Sequence, residues 1–421
     1  MRGARFVPSL AGGAMLAALW GLYALAPGVY GALLHLADIP PPHRALFGDL
    51  SAVGLAVACA GQGVNVLLPN GCMGGGVYSY APLLLHLPWL AVLYARALPV
   101  GMGMALVFLA VQAVLPAAER RGELAARVLG TVSVSVIFAL QRANLDVVLF
   151  LGVVLGVGLL GGGVAARLAA YGLFGLLGAL KYYPAVLLAL VARERGRWLA
   201  LAAVPLAVAG GVFLWRFWRV LAQALAMAPH GPPLGNCFGA LDVPLAVGVW
   251  SGLAHGESVA GIAAFHLTPA LRALSWGLIG LLLWRGWGGR AECRAGFAAL
   301  PPFAGRLLLA GALLIVACFL LAQNIDYRGI FLLLALPGLY RVRPRAAWVA
   351  VGLMNEGLFR IGALTLGGLV GGPGAGMAAY IVVWAVREAL WWWLVARLLA
   401  VLLAWVELTL TRWRCEMAGG S

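Results

Sequence analysis

The chain has 421 residues with a formal net charge of +15, and it is 63% hydrophobic and only 10% charged, with a mean hydropathy of +0.98. Apolar runs of about 15–25 residues recur from end to end, and about 20 such residues cross a bilayer as a helix. The composition excludes a soluble multidomain protein and predicts an all-α polytopic membrane protein, with 1–421 forming a single transmembrane domain in a lipid bilayer.

Arginine supplies nearly all of the positive charge, since Lys181 is the only lysine. The arginines gather in short clusters between apolar runs, as they do on cytoplasmic loops of membrane proteins. We therefore interpret them as topology signals and predict no nucleic-acid partner. The clusters expected on the cytoplasmic side are Arg2/Arg5, Arg120/Arg121/Arg127, Arg193/Arg195/Arg197, Arg285/Arg290/Arg294, Arg341/Arg343/Arg345 and Arg412/Arg414.

The first apolar run, 9–33, is too long for the apolar region of a signal peptide, so a first transmembrane helix is expected there. A first outer loop, 35–97, should contain a short helix at 82–95 that dips into the membrane or lies at its interface, and a second outer loop is expected at 215–266. With the runs below, about 11 to 13 membrane segments are predicted. These runs are 98–117, 128–140, 146–163, 198–214, 268–284, 306–322, 329–340, 347–368 and 376–399.

The run 168–192 must leave the cytoplasmic side and return, because Arg193 is also expected inside. It is interrupted by Lys181-Tyr-Tyr-Pro184, so two half-length helices should meet at this break. Lys181 facing lipid would be costly. It either reaches the outer interface or binds an anion, for which a lipid phosphate is a natural candidate.

The stretch Phe138–Phe150 places four polar residues between two apolar runs, on the outer face of the predicted topology. They are Gln141, Arg142, Asn144 and Asp146. We expect them to cap two helices and to face one cavity; the alternative is a helix cap with an Arg142–Asp146 ion pair. A second cluster, 323–328, places Asp326 and Arg328 at another outer junction.

Asp49 opens a short amphipathic helix on the first outer loop, ahead of the segment Val77–Pro82 that contains Tyr80. A carboxylate at the water–lipid boundary is well placed to act as a general base. The alternative is a solvated loop residue or a helix cap. That alternative is favoured for Asp38 and Asp242, which lie beside proline-rich turns.

Two further pairs suggest structural roles, namely Glu356/Arg360 at helical spacing and the adjacent Arg387/Glu388. Of the six cysteines, none has metal-site spacing. Three are expected outside, where disulfides persist, and a Cys72–Cys237 bond is one possible pairing. The three are Cys59, Cys72 and Cys237, whereas Cys293 and Cys415 should stay reduced.

Together, Asp49, the "YSYAP" segment, the Gln-x-x-Asn-x-Asp turn and "GALKYYPAVLLALVARERGRW" resemble the GT-C superfamily of polytopic glycosyltransferases. The nearest resemblance is to glycosyltransferase family 87, the polyprenol-phosphate-mannose-dependent mannosyltransferases. It covers about residues 30–245, with Lys-Tyr-Tyr-Pro and the following arginine-rich loop as its most specific part, and 268–421 matches as membrane helices plus "QNIDYR". The chain departs from the family pattern at Ala81, Arg142 and Cys237.

The resemblance implies a GT-C-like catalytic module over about 1–245 and C-terminal helices over 268–421. Asp49 aligns with the catalytic base, Lys181 and Tyr182 with the Lys-x-Tyr-Pro element, and Asn236 with an outer-loop Asn-x-Ser. It also implies transfer of a sugar from a polyprenyl phosphate to a lipid or glycan acceptor, at the outer face of the plasma membrane. No cofactor is implied, and a divalent metal is left open.

Two other classes of function remain. A transporter or flippase would also show broken helices and buried ions, but near the bilayer midplane and with repeat symmetry. A non-catalytic scaffold of the cell envelope would not depend on Asp49 or Lys181.

Overall fold

The structure, a computed structural model, describes residues 2–40, 46–226, 237–252, 255–259, 262–266, 268–321, 323–370 and 374–419. These residues form a bundle of α-helices, as the composition predicts. The α-helices are α1 (Val7–Leu25), α2 (Pro27–Leu36), α3 (Gly48–Gly61), α4 (Val92–Gln112), α5 (Arg121–Thr131), α6 (Val134–Arg142), α7 (Leu145–Leu159), α8 (Val164–Leu180), α9 (Gly196–Ala226), α10 (Asp242–Trp250), α11 (Pro269–Ala298), α12 (Pro302–Leu321), α13 (Leu332–Val342), α14 (Pro344–Leu353), α15 (Gly357–Val370) and α16 (Ala375–Gly419).

Shorter elements connect the helices. The 3-10 helices are Arg2–Phe6, Pro82–His86, Pro88–Ala91, Tyr183–Arg193 and Asp326–Phe331. The strands are β1 (Cys237–Phe238), β2 (His255–Val259), β3 (Ile262–His266) and β4 (Asn324–Ile325). β1 pairs antiparallel with β4, and β2 pairs antiparallel with β3.

Six helices of the described residues are long and apolar enough to cross a membrane, or seven if a bent pair counts as one span. The predicted count of about 11 to 13 stays a prediction, because it also requires shorter helices such as α7 and α8. The expected interfacial helix at 82–95 is wrong in its bounds. Two 3-10 helices lead directly into α4, and Pro88–Gln112 forms one apolar span.

The break at Lys181 is present. α8 ends at Leu180, and the 3-10 helix Tyr183–Arg193 packs back against it. A Cβ on Gly178 would lie 3.0 Å from the Cα of Ala185, so glycine allows the two arms of this hairpin to approach closely. The run at 347–368, expected to be one helix, is instead bent by 74° between α14 and α15.

The helix order separates two ends of the bundle. One, the polar end, holds the last residue of α6, the first turn of α7 and the break at Lys181. The other, the arginine-rich end, lies at the opposite ends of helices such as α7 and α8. There, Arg341 in the last turn of α13 pairs with Glu119 at 2.9 Å and with Glu123 at 3.2 Å.

Candidate functional site

The first turn of α3 carries Asp49 and is fixed by an unusual backbone. Phe47, the residue before α3, has φ +65°, which costs free energy in a bulky residue. Two contacts hold it in place. Its ring packs against Gly101 of α4, where a Cβ would lie 2.4 Å from the ring, and its N–H donates to the carbonyl of Gln141 at 2.8 Å. Asp49 is therefore held rigidly beside the end of α6.

Asp49 binds two of the residues predicted to share its cavity. Arg142 approaches Asp49 Oδ1 with Nε at 2.7 Å and Nη2 at 2.6 Å. Asn144 Nδ2 donates to Asp49 Oδ2 at 2.5 Å. The alternative Arg142–Asp146 ion pair is therefore wrong, because the partner of Arg142 is Asp49. A guanidinium and an amide therefore both donate hydrogen bonds to this carboxyl group.

The turn between α6 and α7 orients these side chains. Ala143 has φ +45°, so the chain reverses between Arg142 and Asn144. Asn144 then caps α7, as its Oδ1 accepts from the N–H of Asp146 at 3.0 Å. The cap was predicted from the sequence, and it uses the Asn144 oxygen, which leaves the Asn144 amide for Asp49.

Lys181 and Asp146 form a buried ion pair at 2.5 Å, with side-chain exposures of 7% and 0%. Tyr183 donates to the same oxygen of Asp146 at 2.6 Å, and Arg328 Nε lies 3.6 Å from the other oxygen. Lys181 thus has an anion from its own chain, and a direct contact with a lipid phosphate stays a prediction. Lys181 also contacts Asn144 Oδ1 at 3.3 Å, which links it indirectly to Asp49.

Aromatic side chains enclose the ammonium group of Lys181. The rings of Tyr80, Tyr183 and Tyr327 lie 5.4, 5.7 and 5.7 Å from it, within cation–π range. Tyr182 points elsewhere and donates to the Tyr80 carbonyl at 3.3 Å. Tyr327 was missed in the sequence, although it lies between Asp326 and Arg328.

Tyr80 also approaches Asp49 through Asn144, whose Nδ2 is 3.5 Å from the phenol oxygen. Burial, assisted by the charge of Asp49, raises the pKa of Tyr80 well above its ordinary value. The phenol is therefore protonated at neutral pH. We refer below to Asp49, Tyr80, Arg142, Asn144, Asp146, Lys181, Tyr183 and Arg328 as the Asp49 cluster.

A cavity of about 770 Å³ opens beside this cluster, between α3 and α4. Asp49, Gln141 and Arg142 form part of its polar wall, and Tyr23, Leu55 and Leu98 are among its other lining residues. Lys181 and Asp146 do not line it. The structure thus divides the predicted site residues into a layer at the cavity and a buried supporting layer.

Asp326 belongs to a different cluster. It accepts from Arg387 Nη2 at 2.9 and 3.0 Å, and Arg387 also pairs with Glu356 at 2.5 Å and with Glu388 at 2.8 Å. We call these four residues the Arg387 cluster. The predicted Glu356/Arg360 pair is wrong, because Glu356 faces Arg387 while Arg360 pairs with Asp38. The bend between α14 and α15 places Glu356 before the helix that carries Arg360.

The disulfide differs from the suggested Cys72–Cys237 pairing. Cys59 is bonded to Cys72, which ties the loop after α3 to that helix. Cys237 is free and buried, and its carbonyl accepts from Arg387 at 2.5 Å. The predicted site residue Asn236 lies outside the described residues. Cys293 and Cys415 are free, as expected.

Within the part of the chain that the structure describes, no three His, Cys, Asp or Glu side chains converge as metal ligands. Comparisons with protein-family models, with curated proteins and with solved structures return no match for this chain.

Proposed function

We propose that this chain is a membrane glycosyltransferase that moves a sugar from a polyprenyl-phosphate donor to a hydroxyl group of a lipid or glycan acceptor. One observation carries the proposal. Asp49 and Arg142, a carboxylate and a cation in direct contact, form the charged part of the wall of a cavity of about 770 Å³. This volume lies within the range of small-molecule sites, which are typically mostly apolar with a few placed polar groups.

Asp49 is the proposed general base. Two Arg142 nitrogens approach its Oδ1, whereas its Oδ2 accepts only from Asn144 and retains a lone pair for the acceptor hydroxyl. The Arg142 guanidinium pairs with the carboxylate and orients it. In the proposed reaction, Asp49 takes the hydroxyl proton as the new bond to the sugar forms.

Arg142 is the proposed contact for the leaving phosphate. In a single displacement, the acceptor oxygen bonds to the anomeric carbon while the bond from that carbon to the phosphate oxygen breaks. The proton goes to Asp49 and the electron pair goes to the polyprenyl phosphate, with inversion at the sugar. Arg142 is 30% exposed, so it can contact a ligand phosphate without losing Asp49.

The remaining cluster residues are proposed as positioning residues. Lys181 holds Asn144 and Asp146, and Asn144 holds Asp49. Phe47, near Asp49, and Ala143, between Arg142 and Asn144, both have positive φ. These conformations cost free energy, so the geometry around Asp49 is maintained at an energetic cost. Such strain is concentrated at functional sites, which supports a catalytic rather than a scaffolding role.

The proposed location is the plasma (inner) membrane, with the polar end facing the periplasm or the cell exterior. Arginines at the other end support this orientation through the positive-inside rule. A transporter or flippase is the alternative. The position of the Asp49 cluster at one end of the helices, where α6 ends and α7 begins, favours the transferase.

The test is an assay of purified full-length protein in lipid nanodiscs, with radiolabelled polyprenyl-phosphate sugars and a membrane lipid extract as acceptor. Wild type should transfer label to the extract, and Asp49→Asn should not. Absence of transfer from every donor, together with solute movement in proteoliposomes, would replace this proposal with the transporter.

A further inference from the structure

A second cavity, of about 320 Å³, lies at the arginine-rich end, one helix length away from the Asp49 cluster. The end of the 3-10 helix Tyr183–Arg193, the start of α12 and the last turns of α16 surround it. Four arginines line it, and none of the described residues that line it is acidic. They are Arg193, Arg195, Arg306 and Arg412.

Among the described residues, no carboxylate forms an ion pair with Arg306 or Arg412, and the carboxylate nearest to Arg193 is shared with other groups. Glu194 is already occupied, because Arg167 binds it at 2.8 and 3.1 Å and Tyr171 donates to it at 2.8 Å. Arg193 reaches Glu194 only at 3.9 Å. Arg193, Arg306 and Arg412 therefore give the described part of the lining an excess of positive charge.

Arg306 is the most informative of the four. It lies in the first turns of α12, and its Nε is shielded from solvent without a hydrogen-bond partner among the described residues. A shielded guanidinium N–H without an acceptor is costly, and the cost is removed if a ligand supplies the acceptor. The positive end of the α12 dipole lies at the same place and adds to the attraction for an anion.

Apart from Thr409, the other lining residues are apolar, and most of them lie on helices. They include Leu160, Leu190, Leu309 and Trp405. A cavity lined by arginines and by apolar side chains is suited to bind an amphiphile with an anionic headgroup. Arginine is suited to phosphate because its planar group donates two parallel hydrogen bonds.

We propose that this cavity binds a phosphate group, carried by an anionic phospholipid whose acyl chains lie along the apolar wall. The site is separate from the proposed sugar-transfer site and does not depend on that function. Its ligand would stabilise the junction of α12, α16 and the hairpin that carries Lys181.

Native mass spectrometry of the full-length protein, titrated with phosphatidylglycerol or phosphatidylcholine, tests the proposal. Wild type should prefer phosphatidylglycerol, and Arg306→Gln should lower that affinity by about tenfold, the cost of one or two charge-assisted hydrogen bonds. Arg121→Gln is the matched control. It removes an exposed arginine at the N-terminus of α5 that does not line the cavity, and it should bind as wild type.

A competition arm with inorganic phosphate distinguishes the two sources of the group. If phosphate alone displaces the lipid and raises the melting temperature of wild type but not of Arg306→Gln, a phosphate site is supported, with free phosphate as its ligand. Arg412→Gln provides a second variant at an exposed position in case Arg306→Gln does not fold. Unchanged lipid and phosphate binding in the folded variants would overturn the proposal.

Discussion

The Asp49 cluster and the Arg387 cluster both consist of arginine–carboxylate ion pairs with their neighbours, but they differ in how exposed those ion pairs are. In each, an arginine pairs with a carboxylate from a distant part of the chain, Arg142 with Asp49 and Arg387 with Asp326. Asp49 and Arg142 are 12% and 30% exposed beside a cavity of about 770 Å³, whereas Arg387 and Asp326 are only 2% and 3% exposed. Residues of the Arg387 cluster also line cavities, of about 20 Å³ at Glu356 and Arg387 and of about 490 Å³ at Glu388. The comparison therefore indicates that the exposure of the ion pair, rather than the presence of charged pairs or of a cavity, distinguishes the candidate site from structural ion pairs.

The positions of the two clusters explain the difference. Asp326 and Arg328 are two residues apart, yet Asp326 faces Arg387 and Arg328 faces Asp146. The 3-10 helix Asp326–Phe331 therefore contributes to both clusters. β4, which precedes it, pairs with β1 and brings the Cys237 carbonyl to Arg387. The Arg387 cluster thereby joins β1, the 3-10 helix, α14–α15 and α16.

The largest expected effect belongs to Asp49. Asp49→Asn keeps the size of the side chain but removes the base, and loss of a general base typically costs about 100- to 10,000-fold in rate. We expect transfer from a lipid-linked sugar to fall by this amount while the melting temperature changes little. Initial rates with radiolabelled donor and thermal unfolding of the same preparation would measure both.

Asp38→Asn is the control for that comparison. Asp38 has φ +59° and pairs with Arg360 at partial exposure, so asparagine retains the backbone conformation and loses only a partly exposed ion pair. It should transfer at nearly the wild-type rate. Equal losses in the two variants would mean that Asp49 has no special role, and full activity of Asp49→Asn would place the base elsewhere.

Arg387 should show the reverse pattern. Arg387→Gln leaves Asp326, Glu356 and Glu388 buried without their cation, and breaking a buried pair in this way costs about 3–5 kcal/mol. We expect a large loss of folded protein in size-exclusion chromatography and thermal unfolding. Arg360→Gln, at a partly exposed pair, should lose about 1 kcal/mol or less. A normally stable Arg387→Gln protein would contradict a structural role for this cluster.

Lys181 is buried but belongs to the cluster beside the cavity, so its substitution tests whether a buried ion pair affects stability, sugar transfer or both. Lys181→Met leaves Asp146 buried without its nearest cation, so stability and transfer should both fall. Adding Asp146→Asn should restore much of the stability, because the uncompensated charge is removed. A double-mutant cycle with thermal unfolding and donor-binding measurements would quantify the coupling.

The two roles for Lys181 give different results in that cycle. As a positioning residue, Lys181 should show strong coupling to Asp146 in stability. If Lys181 instead binds the donor phosphate directly, Lys181→Met should weaken donor binding, and Asp146→Asn should not restore it. That result would favour the sequence-based hypothesis over the indirect role.

Sequence patterns predicted the helical membrane architecture and the break at Lys181, because length, hydropathy and an isolated lysine before proline are local signals. They also predicted that four polar residues lie together at one end of the helices, namely Gln141, Arg142, Asn144 and Asp146. They could not choose partners, since Arg142 has two carboxylates within reach of its loop and only the packing of α3 on α4 brings Asp49 to it. Gly54 permits that packing, as a Cβ there would lie 2.3 Å from the N of Tyr94.

The sequence also could not predict that Asp326 and Arg328 belong to different clusters. Their spacing favoured one shared site, and the division depends on the pairing of β1 with β4 and on a bend in the α14–α15 segment. Both are contacts between residues far apart in sequence. The Cys59–Cys72 bond has the opposite origin, since it spans only 13 residues and was overlooked in favour of a long-range pairing.

Asp242, a buried residue in the first turn of α10 that interacts electrostatically with Arg387 and Glu356, provides the smallest expected effect, a pH dependence of stability. Burial raises its pKa from 3.8 to about 7; Arg387 and the nearby Gln323 partly offset this rise, and Glu356 adds to it. The folded state therefore holds a proton that the unfolded state releases above about pH 4, so the free energy of unfolding falls as pH rises towards and through about 7. Between pH 6 and 8 the loss should be on the order of 1 kcal/mol, and it should be absent in Asp242→Asn. Thermal unfolding of wild type and Asp242→Asn across this range measures the difference in their free energies of unfolding. Groups that titrate in both proteins contribute equally and drop out of this difference. Equal slopes, or stability that rises with pH only in wild type, would mean that Asp242 is ionised in the folded protein and that the buried cluster carries its full negative charge.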